Sequence, residues 1–181
     1  MLLLIRFLLL SLALLAGACS ASKSAPGTGP ATTVYLVRHG EKDTAVDPRN
    51  PPLTAAGAQR ALALRDSLQR RPIVAVYSTD TRRTRETGTP LATARKLEIT
   101  PYDSSPTGQA ALAARIREQH RGKSVLVVGH SNTVLETIEA LGAPRPVPTI
   151  GDDEFDYLFE VTIPTNGAPT TARAQRYGAG R

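Results

Sequence analysis

The sequence predicts an α/β fold, a three-layer sandwich with a mostly parallel central sheet. Three observations point that way. Short β-rich apolar runs alternate with stretches of helical periodicity from Thr33 onward. The clearest run, Ser124-Val125-Leu126-Val127-Val128, is continuously apolar, as a strand covered on both faces must be. The last two strand-like runs flank Asn166-Gly167, a signal for an antiparallel pair.

Along the chain, Thr33 to Val37 reads as the first strand and ends at Arg38-His39-Gly40. A polar, proline-rich loop continues through Pro52. Thr54 is a natural N-cap, because apolar residues recur at Ala58, Ala61, Leu62, Leu64 and Leu68 with roughly helical spacing. Pro72 closes that helix, and Ile73 to Tyr77 is the second strand. Thr81 to Arg95 is a helix that Gly88 and Pro90 are expected to bend or interrupt. Leu97 to Tyr102 is a weaker strand, Ala110 to Gln119 a helix, Ser124 to Val128 a strand and Thr133 to Leu141 a helix. Gly142 and the prolines at 144, 146 and 148 stop that last helix, and strands from Tyr157 to Ile163 and Thr170 to Tyr177 finish the chain.

The N-terminus has a different character. Arg6 precedes an apolar run from Phe7 to Ala16 and then Gly17-Ala18-Cys19, the pattern of a signal peptide over residues 1–18. The run is shorter than the roughly 20 residues a spanning helix needs. Small residues directly before Cys19 resemble the bacterial lipoprotein cleavage box, which implies cleavage before Cys19 and lipidation of that cysteine. Residues 19–30 are dominated by Ser, Ala, Gly and Pro and read as a flexible tether. The globular domain is then 31–181. This layout predicts an extracytoplasmic protein held to a membrane, periplasmic or on the cell surface, or secreted if no lipid is attached.

Composition narrows the chemistry. A single cysteine in 181 residues excludes an intramolecular disulfide framework and a cysteine-based zinc site. No carboxylate cluster suggests a metal, and no cofactor is expected. The net charge of +6 suits anionic ligands, but the scarcity of aromatics leaves no stacking platform for single-stranded nucleic acid, and no nucleic-acid partner is expected.

The functional signal lies in the residues just beyond the strand ends. The first strand ends in Arg38-His39-Gly40-Glu41, the second in Tyr77-Ser78-Thr79-Asp80 with Arg82, Arg83 and Arg85 just beyond, and the fourth in Gly129-His130. Ligands of open parallel sheets bind outside the carboxyl ends of the strands. The helices that start there offer free backbone N–H groups to anions. Guanidinium forks match phosphate oxygens, a neutral imidazole is able to attack phosphorus, and a protonated one stabilises the equatorial oxygens. His120, at the end of a helix beside Arg121, is given no catalytic role.

Four segments, in order, are similar to those of the histidine phosphatase superfamily, the phosphoglycerate mutase-like proteins. They are Arg38-His39-Gly40-Glu41, Leu53-Thr54-Ala55-Ala56-Gly57-Ala58-Gln59-Arg60-Ala61, the stretch from Tyr77 to Thr87, and Val128-Gly129-His130. The resemblance implies a phosphoglycerate mutase-like fold with His39 as the phosphorylated nucleophile. Arg38, Arg83 and His130 then bind the phosphate, with Arg82 as the alternative to Arg83. Asp103 matches the position of the family's proton donor. Glu41-Lys42-Asp43-Thr44-Ala45 departs from the family's Glu-Ser/Thr-x-x-Asn.

The expected activity is metal-independent hydrolysis of small phosphomonoesters through phospho-His39. Phosphohistidine protein phosphatase, or a surface lipoprotein that binds phosphorylated ligands without turnover, are the alternatives. The stretch from Thr87 to His130 holds one strand and one helix and leaves little room for a water-excluding lid, which favours a hydrolase over a mutase. The loop from Lys42 to Pro52 and the segment from Pro144 to Glu154 are the expected specificity elements.

Overall fold

The structure is a computed structural model and describes residues 29–178. The expected signal peptide, Cys19 and all of the expected tether except Gly29 and Pro30 lie outside the described residues.

Six strands form one sheet in the order β3-β2-β4-β1-β5-β6. The strands are β1 (Thr32–Arg38), β2 (Ile73–Ser78), β3 (Ile99–Pro101), β4 (Ser124–Gly129), β5 (Tyr157–Ile163) and β6 (Thr171–Arg176). β1 to β4 run parallel, and β5 and β6 close one side antiparallel. The helices are α1 (Ala55–Ser67), α2 (Arg82–Arg95), α3 (Pro106–Gln119) and α4 (Val134–Ala140).

Strand pleat sorts the core into two layers, because successive side chains point to opposite faces. Tyr35, Val37, Val76, Leu126 and Val128 pack with Leu64 and Leu68 of α1 and Leu91 of α2. Val34, Leu36, Val125, Val127 and Phe159 pack with Leu112 and Ile116 of α3 and Ile138 of α4. The two helix pairs therefore cover opposite faces, which makes the three layers. This also explains why β4 is apolar at every position from Val125 to Val128: both of its faces are buried. β6, at the edge, is polar and mostly exposed, which discourages further strand pairing.

Three boundaries differ from the sequence expectation. α3 starts at Pro106 rather than Ala110, because Ser105 caps it by accepting from Gly108 N and Pro106 fits the first turn. α2 runs unbroken through Pro90, and Gly88 lets it lie close to β2, where a Cβ would stand 3.3 Å from Val76 Cγ1. β3 is only three residues long, shorter than the run from Leu97 to Tyr102 suggests.

The topology sets the site. β1 and β4 are parallel neighbours, yet the helix after β1 covers one face and the helix after β4 the other. Their carboxyl ends therefore open a crevice, the place where such sheets bind ligands.

Candidate active site

The ladder hydrogen bonds continue past the ends of the strands. His39 N donates to Gly129 O at 3.0 Å, Thr79 N to Val128 O at 3.3 Å and Tyr102 N to Ser78 O at 3.0 Å. These bonds tie the residues after β1, β2 and β3 to their neighbouring strands, and two of them hold His39 and Thr79 in position. Gly129 is needed at the end of β4, since a Cβ there would stand 2.9 Å from the Tyr102 hydroxyl. His130 comes next, and its ring lies 5.3 Å from that of His39, edge to face.

Each imidazole has an assignable tautomer. His39 is 4% exposed, and its Nδ1 sits 2.8 Å from the carbonyl oxygen of Gly40. A carbonyl only accepts, so Nδ1 carries the hydrogen and the Nε2 lone pair remains for chemistry. His130 Nδ1 lies 3.4 Å from Arg83 Nη2, which only donates, so its hydrogen belongs on Nε2, facing Thr79 Oγ1 at 2.9 Å. Thr79 Oγ1 in turn donates to Thr84 Oγ1 at 3.0 Å.

Burial pushes the His39 imidazole down to about 3, with the Arg83, His130 and Arg38 charges adding to it and the Gly40 bond opposing. Burial, then Arg83, Arg38 and Lys42, holds His130 down at about 4. Both rings are thus neutral at physiological pH.

The two arginines are fixed in the cluster. Arg38 Nη1 donates to the carbonyl oxygens of Gly151 and Asp152, each at 2.8 Å, and of Glu154 at 3.4 Å. Its guanidinium lies 4.1 Å over the Phe155 ring, and Phe155 also sits 6.2 Å from the His39 ring. The Nε atoms of Arg38 and Arg83 are both buried with no hydrogen-bond acceptor among the described residues. Buried unpaired donors are costly, so two in one cluster mark a place for an acceptor from outside the chain.

The neighbouring motif supports this turn. Thr54 caps α1 by accepting from Gly57 N at 3.1 Å, and Thr54 N donates to Glu41 O at 2.8 Å. Gly57 passes so close to the first motif that a Cβ would stand 2.3 Å from Glu41 O. Glu41 turns away and takes a fork from Arg60 at 2.6 to 3.0 Å. Thr87 links α2 to the same turn, accepting from Gly40 N at 2.9 Å and donating to Arg83 O at 2.8 Å.

The family model described as "Histidine phosphatase superfamily (branch 1)" matches residues 34–104. Over that stretch, which holds Arg38, His39 and Arg83, the chain is similar to that superfamily. No curated protein matches the chain. Among solved structures, the alpha-ribazole phosphatase from Shigella flexneri is similar at 17% identity and a TM-score of 0.61, covering 82% of this chain and 100% of its own. Mycobacterial glucosyl-3-phosphoglycerate phosphatase aligns at 16% identity and a TM-score of 0.60, covering 83% and 100%. Bacillus stearothermophilus YhfR aligns at 20% identity and a TM-score of 0.61, covering 83% and 98%. At these identities the likeness is one of fold: the phosphoglycerate mutase-like sheet and its helices.

Within this fold, Arg38, His39, Arg83 and His130 converge. Arg82 does not join them: it is half-exposed, its Nε donates to Glu86 Oε1 at 2.7 Å, and its backbone N donates to Asn50 Oδ1. Asp103, the expected proton donor, is committed elsewhere. Its exposed carboxylate accepts from Ser105 N at 2.9 Å and Ser105 Oγ at 2.5 Å, ahead of α3. Those bonds hold its carboxyl below the usual carboxylate range, the wrong direction for an acid at neutral pH. His120 lies at the far end of the sheet, bonded to Tyr77 Oη at 2.7 Å. Among the described residues no three His, Cys, Asp or Glu side chains gather as metal ligands would.

Sequence reasoning does not find Phe155 or the carbonyls of residues 151–154. The segment is visible as a specificity element, but nothing in Gly151-Asp152-Asp153-Glu154-Phe155 says that its backbone, rather than its carboxylates, grips Arg38.

Proposed function

We propose that this protein is a phosphatase that hydrolyses phosphomonoesters through a phosphohistidine on His39. The observation that carries the reading is the ring pair of His39 and His130 beside two buried guanidinium Nε donors with no acceptor among the described residues. His39 Nε2 supplies the electron pair that forms the P–N bond as the P–O bond to the leaving group breaks. Arg38 and Arg83 offset the phosphoryl charge, and His130 takes up a proton beside the bound dianion and donates to an equatorial oxygen. The departing oxygen takes its proton from solvent; water then attacks phosphorus, the P–N electron pair returns to His39 Nε2, and phosphate leaves. The leader reading adds the location: a lipid on Cys19 holding the domain to a membrane outside the cytoplasm, where small phosphorylated compounds are its substrates.

One observation favours a second reading within the same chemistry. With the Asp103 carboxylate engaged by Ser105, the leaving group has no side-chain acid at that position, which suits substrates whose leaving group needs little help, such as phosphohistidine in a protein.

Acid-quench labelling with a ³²P-phosphoryl donor tests the mechanism. The wild type is expected to trap an acid-labile, alkali-stable label that His39→Ala lacks. Absence of the label from the wild type, or its persistence in His39→Ala, overturns the proposal. Asp103→Asn is expected to leave kcat on an aryl phosphate within about threefold, and a drop of a hundredfold or more restores Asp103 as the proton donor. A higher kcat/KM on a phosphorylated imidazole than on alkyl phosphates selects the second reading.

A further inference from the structure

The end of the molecule opposite the site carries a cationic face that the chemistry does not use. The residues that lead into β2, β3 and β4 all lie at that end, because the strands are parallel. They include Arg70, Arg71, Lys96, Arg121 and Lys123, and Arg117 lies one turn back on α3; all six are exposed. Asp66, Glu98 and Glu118 are the carboxylates nearest to them in the chain, and Asp66 is paired with Arg65. Elsewhere on the surface most arginines are paired: Arg60 with Glu41, Arg82 with Glu86, Arg85 with Asp80, Arg145 with Glu139, and Arg173 and Arg176 with β5 and loop carboxylates. None of the six makes an ion pair among the described residues.

The face is built as one surface. Arg95 Nη2 donates to Gln69 O and Arg71 O, joining the turn before β2 to the end of α2. Thr33 N donates to Lys123 O, and Gly122 N to Thr32 Oγ1, joining the turn before β4 to the start of β1. Arg117 and Arg121 line an open cleft of about 250 Å³ with Thr32, Ile163 and Thr165. The opposite end exposes Asp80, Asp103, Asp152 and Asp153. That end also exposes Lys42, Arg49, Arg82 and Arg85, so cations and carboxylates are interleaved there, while at the tether end the cations outnumber Asp66, Glu98 and Glu118.

The chain enters the domain at this cationic end. Gly29 O accepts from Thr165 Oγ1, and Pro30 lies where a Cβ on Gly122 would meet it at 3.1 Å. Nine residues lie between Cys19 and Gly29. Even fully extended, ten residue steps reach at most about 35 Å, so a membrane attachment at Cys19 keeps this face near the headgroups. Exposed cations that close to an anionic surface are attracted within a Debye length of about 8 Å.

We propose that this tether-side face docks on an anionic lipid surface, with Arg70, Arg71, Lys96, Arg117, Arg121 and Lys123 meeting the headgroups and the His39 crevice turned away from the bilayer. The docking rests on the leader reading for its proximity and on the face for its charge.

The test uses the full chain carrying Cys19→Ala, so that no lipid is attached and the leader is common to all arms. Partitioning is measured on phosphatidylglycerol and on phosphatidylcholine vesicles in low and high salt. The unmodified face is expected to prefer phosphatidylglycerol by at least tenfold in low salt and to lose the preference in high salt. Arg70→Gln/Arg71→Gln/Arg121→Gln/Lys123→Gln is expected to abolish the preference, while Lys42→Gln/Arg49→Gln/Arg82→Gln/Arg85→Gln keeps it. Equal loss in both variants, no preference in the starting chain, or tighter face-dependent binding to a DNA duplex than to vesicles overturns the proposal. Turnover of an aryl phosphate reports the fold of the face variant, and its failure in all arms counts against the phosphatase reading instead.

Discussion

His39 and His130 are neutral because they are buried beside guanidiniums, and that has a cost at low pH. Their folded-state values, about 3 and about 4, lie below the 6.5 of a free imidazole. Between pH 6.5 and that range the unfolded chain takes up protons that the folded chain refuses. Stability that is fully present above pH 6.5 is therefore lost as pH falls through the window. The wild type is expected to show a falling Tm from pH 6.5 to 4, and His39→Gln/His130→Gln a visibly shallower fall. Identical slopes for the two contradict this account. Inorganic phosphate should flatten the wild-type slope, because a bound anion favours the protonated His130.

At the same scale, spacing alone does not choose between Arg82 and Arg83. Arg82 lies four residues after Ser78 and Arg83 four before Thr87, and both registers fit a helix. The decision comes from tertiary partners: Glu86 and Asn50 hold Arg82 outward, while Thr84 and Thr87 are buried on the inward face of α2 and leave Arg83 beside His130.

The element that matters most to the site is the segment from Gly151 to Asp156. Its carbonyls hold Arg38, and the segment is itself held by Arg176 of β6. Arg176 Nη2 donates to Glu154 Oε1 at 2.8 Å, Nη1 is bonded to Asp156, and the guanidinium lies 3.4 Å over Tyr157. Glu154 Oε2 accepts from Gly151 N at 2.8 Å. Arg176 is therefore a positioning residue that acts on Arg38 through the loop. Arg176→Ala is expected to lower kcat/KM about tenfold, with the larger part in KM, because a loosened Arg38 weakens ground-state binding of phosphate as well as the transition state. Arg176→Lys, which keeps the charge but not the fork, should recover only part of it. Unchanged turnover and unchanged inhibition by inorganic phosphate in Arg176→Ala remove the loop from the account.

Most elements are legible because their signals are local: Thr54 as a cap, Pro72 as a stop, the unbroken apolar run of β4. The start of α3 is hidden because Ser104-Ser105-Pro106 also reads as loop, and only the Ser105 bond to Gly108 marks it as a helix start. Asp103 misleads for the same reason. Its position after β3 fits a proton donor, but its side chain is spent on that turn.

Among the described residues, the sheet divides the core into two layers that share β1, β2 and β4. Deleting volume from either layer is felt through the sheet by both. Ile116, fully buried between α3 and the sheet, illustrates the size: Ile116→Ala is expected to cost about 2–5 kcal/mol. Urea unfolding tracked by tyrosine fluorescence and by far-ultraviolet circular dichroism should give one shared midpoint, shifted down. Separate midpoints for the two probes mean the layers unfold independently. The α/β class and the placement of both histidines at strand ends are readable because a parallel sheet forces chemistry to one end. The cradle behind Arg38 is not, since it depends on a chain reversal 113 residues away in sequence.

The continuation of the ladder beyond the strands, from His39 to Gly129 and from Thr79 to Val128, separates two kinds of evolutionary freedom. His39 and Thr79 ride on backbone that the sheet itself holds taut. The loops over residues 42–53 and 142–150 lie outside that ladder and are held by side-chain bonds such as Leu53 N to Glu86 and Arg145 to Glu139. Loops so attached can be altered without moving the register of the residues beneath them.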